Sequence, residues 1–283
     1  MENMFDERFE CAAVIFRLAG KENYGDLNND YQKEVADTFA KFAEHPAVKL
    51  IKSYDGSNGI WVDYDCVLNF AVHIEKKDGK LIFIEDIRSL SNRWNETAAR
   101  DFLPLLNDFY IDTNYAGFYN SHISYFEEVT QKFIDETYGK IDLAWFGKYV
   151  DPSNLRCICS LSSGNYGTTV NDKIIYCLVL AGSNAPIVHE YCHSFANPLA
   201  NKWYEENPEF KKWCDDSVNM EKMPYYSQGW VMAWEYVTRA YNILYEVQHG
   251  GNLEEWLSKE RDHQFKDSFK YIEQVYNMVL ELE

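Results

Sequence analysis

Five consecutive residues carry the densest chemistry in this chain: His189-Glu190-Tyr191-Cys192-His193. Histidines four apart on a helix lie on one face, so both imidazoles can share a single metal ion, zinc above all. The glutamate beside the first histidine points past that metal and suits a general base. On a helical wheel with His189 at zero, His193 falls at about 40°, Asn197 at about 80°, Glu190 at about 100° and Ser194 at about 140°. Ile187, Val188, Tyr191, Cys192, Phe195 and Ala196 fill the remaining arc. One face is therefore fit for burial, and the other holds every group the chemistry would use. The plain alternative is an amphipathic helix whose polar face happens to hold two histidines.

Two helical histidines do not make a catalytic zinc site. A third protein ligand is needed, with the fourth position left to water. Residues 194–204 contain no histidine, which excludes the compact three-histidine arrangement. Carboxylates remain. Glu205, Glu206, Glu209, Asp215, Asp216 and Glu221 lie in polar stretches, whereas Glu235 lies in a strongly apolar helix. Thr238, Arg239, Asn242 and Glu246 share its narrow polar stripe. Such a stripe suits a cleft wall and equally a plain solvent face.

The elements that must position these groups read as follows. Ile174 to Ala181 is apolar and β-rich and fits a buried strand. Gly182-Ser183-Asn184 can cap the following helix, with Pro186 tolerated in its first turn. Arg156 to Ser163 alternates like a strand with one wetter face, and Ser162 to Gly167 is turn chemistry. Earlier, helices are expected at Phe5–Phe16 (stopped by Gly20), Tyr31–Ala43 (ended by His45-Pro46), Asp63–Ile74, Thr97–Phe109 and Ala116–Tyr138. Later ones are expected at Pro208–Asp215, Gly229–Gln248 and Leu253–Leu282. This predicts an α+β chain, predominantly helical, with a small β-sheet packed beside the HExxH helix. Its division is a helical N-terminal region, 1–150, and a catalytic region, 151–283, or else one continuous domain over 1–283.

The 283 residues carry a net charge of −18, spread nearly evenly along the chain. Clustered Lys and Arg are missing, so a nucleic-acid partner is excluded. The longest apolar run has eight residues, Ile174 to Ala181, far short of the about 20 a membrane helix needs, so no membrane insertion is expected. The first residues lack a signal peptide's basic start and apolar stretch. Seven scattered cysteines, an odd number, suggest reduced and mostly buried thiols. Together these point to the cytoplasm, although an exported protein trimmed of its leader would look the same. The remaining histidines, His45, His73, His122, His249 and His263, read as structural.

The HExxH helix, with Trp234-Glu235-Tyr236-Val237-Thr238-Arg239-Ala240 on a later helix, resembles the zincin metallopeptidases that use glutamate as third ligand, the gluzincins. The chain as a whole looks like an uncharacterised bacterial domain-of-unknown-function family of zinc-peptidase character. Phe16-Arg17-Leu18-Ala19-Gly20, His45-Pro46-Ala47-Val48 and His189 to Phe195 carry that likeness. The resemblance implies a zincin-like fold, Zn²⁺ held by His189, His193 and Glu235, Glu190 as catalytic base, and a peptide or protein substrate. Tyr225 and Tyr226, just before the Glu235 helix, are candidate oxyanion donors, and Arg239 and Asn197 are candidates to orient the ligands. The alternative function is a zinc-binding or interaction module on the same fold that hydrolyses nothing. Two features depart from the thermolysin-like members. The interval from His193 to Glu235 is long, and Arg239 stands where that group has an Asp supporting a histidine ligand. The Gly-x-Met-x-Asn strand of the aminopeptidase branch is also absent.

Overall fold

The computed structural model describes residues 4–25, 29–57, 60–84, 87, 90, 94–171, 173–181, 186–221, 223, 226–261 and 269–283. The fold is α+β and predominantly helical, as expected, with two small sheets. The chain divides into two compact units. One comprises 1–141 and 153–187, the other 142–152 and 188–283.

The first unit begins with α1 (Glu7–Leu18), whose N-terminus is capped by the Asp6 carboxylate, and Gly20 stops the chain with φ +79°. Next come α2 (Asp30–Phe39) and α3 (Pro46–Ser53). Pro46 does more than end the preceding helix. It opens α3, where its missing N–H costs nothing, and His45 Nδ1 caps the turn by accepting from the Ala47 N–H at 3.1 Å. The helix expected over 63–74 shrinks to α4 (Cys66–Ala71), because Tyr64 adopts a left-handed φ of 52° and cannot continue a helix. His73 then leads into a hairpin the sequence reading missed, β1 (Ile74–Lys77) and β2 (Lys80–Phe83). Its Asp78-Gly79 turn has positive φ at both residues, the geometry that matches strand twist. α5 (Glu96–Asp112) follows the expected helix. The long helix expected over 116–138 is two, α6 (Tyr115–Ser121) and α7 (Ile123–Glu136). Ser121 Oγ and His122 Nδ1 both bond to the Phe118 carbonyl and compete with the backbone ladder at the break.

A three-stranded sheet completes this unit: β3 (Leu155–Ser160), β4 (Tyr166–Val170) and β5 (Ile174–Leu180) in the order β3-β5-β4, with β3 parallel and β4 antiparallel to β5. β5 is thus the covered central strand its apolar run implied. β3 does not keep a wetter face, since Ile158, Cys159 and Ser160 are all buried. At Ser160 the covering partner is Glu10 of α1. Fully buried, its carboxylate accepts from Ser160 Oγ at 2.7 Å, Ser162 Oγ at 2.6 Å and the Leu161 N–H at 3.3 Å. Burial pushes the Glu10 pKa up, and those hydrogen bonds offset only part of the rise.

The second unit is helical: α8 (Ile187–Glu206), α9 (Pro208–Asp215), α10 (Gly229–Gln248), α11 (Leu253–Arg261) and α12 (Ile272–Leu280). The last two replace the single helix expected over 253–282, and residues 262–268 between them lie outside the described residues. So does the expected cap, Gly182-Ser183-Asn184. α10 is the hub. It packs against α9, α11 and α12, and Phe195 of α8 meets Tyr241 edge-on at 5.0 Å. The 142–152 segment closes this core: Tyr149 stacks on Phe195 at 4.3 Å, and Phe146 meets Tyr191 at 5.6 Å. Among the described residues no helix is long and apolar enough to cross a membrane. No disulfide joins the seven cysteines, and all but Cys157 are buried.

Candidate metal centre

α8 presents its histidines as the wheel requires. Ile187, Val188, Tyr191, Cys192 and Ala196 are buried, while His189, Glu190, His193, Ser194 and Asn197 are half-buried on the other side. The first turns of α8 therefore bury one face and leave the other to line a site. Pro198 is accommodated within the helix one residue after Asn197.

The two imidazoles converge through the same atom. His189 Nε2 and His193 Nε2 are 3.2 Å apart, with their rings perpendicular. Glu235 of α10 closes the third side, its Oε2 3.6 Å from His189 Nε2 and its Oε1 3.6 Å from His193 Nε2. Ligand atoms around a tetrahedral zinc with bonds of about 2.0–2.2 Å stand about 3.3–3.6 Å apart. Two imidazole nitrogens and one carboxyl group, already at that spacing, form a donor set that suits zinc. His189, His193 and Glu235 are also the one group of metal-ligating side chains this close together among the described residues. Glu235 is 7% exposed, so the plain solvent-face alternative for its stripe does not hold.

Hydrogen bonds behind His193 settle which nitrogen faces the centre. Its Nδ1 lies 2.9 Å from Asn197 Oδ1 and 3.1 Å from Thr238 Oγ1. An N–H at Nδ1 donating to Asn197 leaves the Nε2 lone pair directed at His189 and Glu235, which is the tautomer a ligand needs. Asn197 thus holds the His193 ring in place. Thr238 was read only as part of a polar stripe, but it touches the same nitrogen.

Arg239 stands one turn from Glu235 on α10 and does not snorkel to water. It is 8% exposed, with Nη2 3.3 Å from Glu235 Oε2, and its Nη1 donates to Glu260 of α11. Burial alone would lower its pKa, but Glu235 and Glu260 outweigh that and keep the guanidinium charged. Glu260 had no signal in the sequence. It lies on another helix among polar neighbours, and only the fold brings it to Arg239.

Tyr226 also belongs here. Its hydroxyl pKa is raised by burial and by Glu235, with Arg239 offsetting part of the rise through charge and a hydrogen bond, and Glu190 adding to it. It is therefore a neutral O–H donor within reach of the fields of Glu190, Glu235 and Arg239. Tyr225 lies outside the described residues. The other described histidines take structural roles: His45 caps α3, His73 Nδ1 bonds Asn69 O at 2.6 Å, His122 Nδ1 bonds Phe118 O, and His249 Nδ1 bonds Tyr245 O. His263 lies outside the described residues.

Comparison with protein-family models, with curated proteins and with solved structures finds no match for this chain. The case for a function rests on the geometry of the centre.

Proposed function

We propose that this chain is a zinc-dependent peptidase of zincin character, with His189, His193 and Glu235 holding Zn²⁺ and Glu190 acting as general base on a peptide or protein substrate. The observation that carries the reading is the convergence of His189 Nε2, His193 Nε2 and the Glu235 carboxylate at zinc-ligand spacing. Zinc bound there supplies a Lewis acid that activates water and polarises a carbonyl oxygen. The chain's own residues account for the rest of the reaction. Asn197 and Thr238 hold His193 in its ligand tautomer. Glu190 takes a proton from the attacking water and delivers it to the leaving amine. Tyr226, kept protonated, can donate to the oxygen on which charge develops. Glu190, half-buried next to His189 on α8, is a base that a site merely storing metal would not need, which favours catalysis over a silent zinc-binding module.

The test compares wild type with Glu190→Ala, each loaded with zinc, on a broad peptide library. Wild type is expected to cleave. The variant is expected to keep its zinc and lose about 10²–10⁴-fold in rate, the usual contribution of a general base. Equal inertness of two zinc-loaded proteins would reject the peptidase and favour the module.

A further inference from the structure

We propose that Arg239, anchored by Glu260, engages one oxygen of Glu235 and so makes Glu235 a one-oxygen metal ligand, which holds a bound metal at four-coordination with one of the four positions left to water. The inference rests on the metal reading above and goes on to assign a positioning function to a pair of residues outside the ligand set.

A carboxylate facing two imidazole nitrogens can bind a metal through one oxygen or through both. Here the two oxygens are not equivalent. Oε1 faces His193 Nε2, whereas Oε2, opposite His189 Nε2, also faces Arg239 Nη2 at 3.3 Å. An oxygen engaged by a guanidinium is a poorer metal donor, because its lone pairs are shared with a cation. Oε1 is then the oxygen left for the metal. Two-oxygen binding would add a fifth donor beside the two imidazoles, the first oxygen and a water, where sites of this type rest four-coordinate.

The guanidinium is fixed from three sides. Nη1 is bound by Glu260 on α11, the group lies 4.2 Å from the centre of the Phe269 ring, and its stem rises from α10. The Glu260 contact is the closer of the two carboxylate contacts, so Glu260 is the anchor and Glu235 the lighter partner, free to meet a metal. Its Nε has no hydrogen-bond partner among the described residues. This arginine is thus held where the two carboxylates need it, at the expense of its own bonding. A lysine would offer a single rotating ammonium in place of this planar fork of separate donors and would not fix one oxygen of Glu235 in the same way.

Cobalt(II) titration with visible absorption spectroscopy reads the coordination number directly, without reference to activity, because four-coordinate Co²⁺ absorbs much more strongly than five-coordinate Co²⁺. Wild type is expected to give the intense four-coordinate spectrum. Arg239→Met should lose most of that intensity, as the freed oxygen joins the metal's donors. Glu260→Gln should shift the spectrum in the same direction by less, and it carries the test if circular dichroism shows that Arg239→Met does not fold. A wild-type spectrum of the five-coordinate kind, or the wild-type spectrum in the folded variants, would overturn the clamp while leaving the metal site standing. A wild-type chain that takes up no Co²⁺ would overturn the metal site and the clamp together.

Discussion

Asn197→Ala examines how the protein prepares its ligand. His193 Nδ1 has two partners, Asn197 Oδ1 at 2.9 Å and Thr238 Oγ1 at 3.1 Å. A neutral hydrogen bond contributes about 0.5–1.5 kcal/mol net, and about 1.4 kcal/mol is tenfold in affinity. In Asn197→Ala the threonine remains as acceptor, so zinc affinity should fall by no more than about tenfold. Thr238→Val, which leaves the shorter bond intact, should cost less. Removing both strands the ring N–H in a largely shielded site, at about 1–3 kcal/mol beyond the lost bonds. The double variant should therefore lose about 100-fold, more than the two single losses multiplied. Competition with a chromophoric chelator at fixed pH measures all four proteins, with circular dichroism as the check on folding. Zinc affinity indistinguishable from wild type in the double variant would refute the argument that these bonds set the tautomer of His193.

Glu10 gives a pH-dependent prediction. Its folded pKa is raised by burial, so the folded state binds this proton more tightly than the unfolded state does. The resulting stability is fully present below the unfolded carboxylate value of about 4.3 and is lost as pH rises through the folded value. Urea unfolding across that range should show wild type losing stability relative to Glu10→Gln as pH rises, and a constant difference would reject this. At Gly164 an added Cβ would stand 2.1 Å from the Leu180 backbone nitrogen. Gly164→Ala should thus cost about 1–3 kcal/mol as strain in the sheet, and an unchanged melting temperature in calorimetry would contradict that packing. Zinc in excess should raise the melting temperature of wild type and not of His189→Ala, because only a chain that binds the ion gains stability from it.

What the sequence made legible follows from how local each signal is. HExxH is a one-turn pattern, and helix geometry converts it directly into two converging imidazoles and a neighbouring Asn197. The bounds of α9 and α10 were readable because Pro208 and Gly229 mark their starts and apolar periodicity runs through them. From its neighbours alone Glu235 read as a polar residue in an apolar helix, its place as third ligand came from the family resemblance, and its burial near the α8 histidines needed tertiary packing to appear. Glu260 and Phe269 were invisible, since their meaning depends on how α11 and the chain after it return to Arg239. The break at His122 and the shortened α4 were missed for a different reason. Each turns on a local choice, side-chain bonding to the Phe118 carbonyl in one case and a left-handed Tyr64 in the other, which hydrophobic periodicity does not encode.

The proposed function stands on His189, His193 and Glu235 forming one metal site. Elemental analysis of purified protein after zinc loading and desalting, run beside Glu235→Ala, addresses it most directly. One zinc per wild-type chain is expected, with a loss of retained zinc in Glu235→Ala. No stoichiometric zinc in wild type, or full retention without the Glu235 carboxylate, would contradict it.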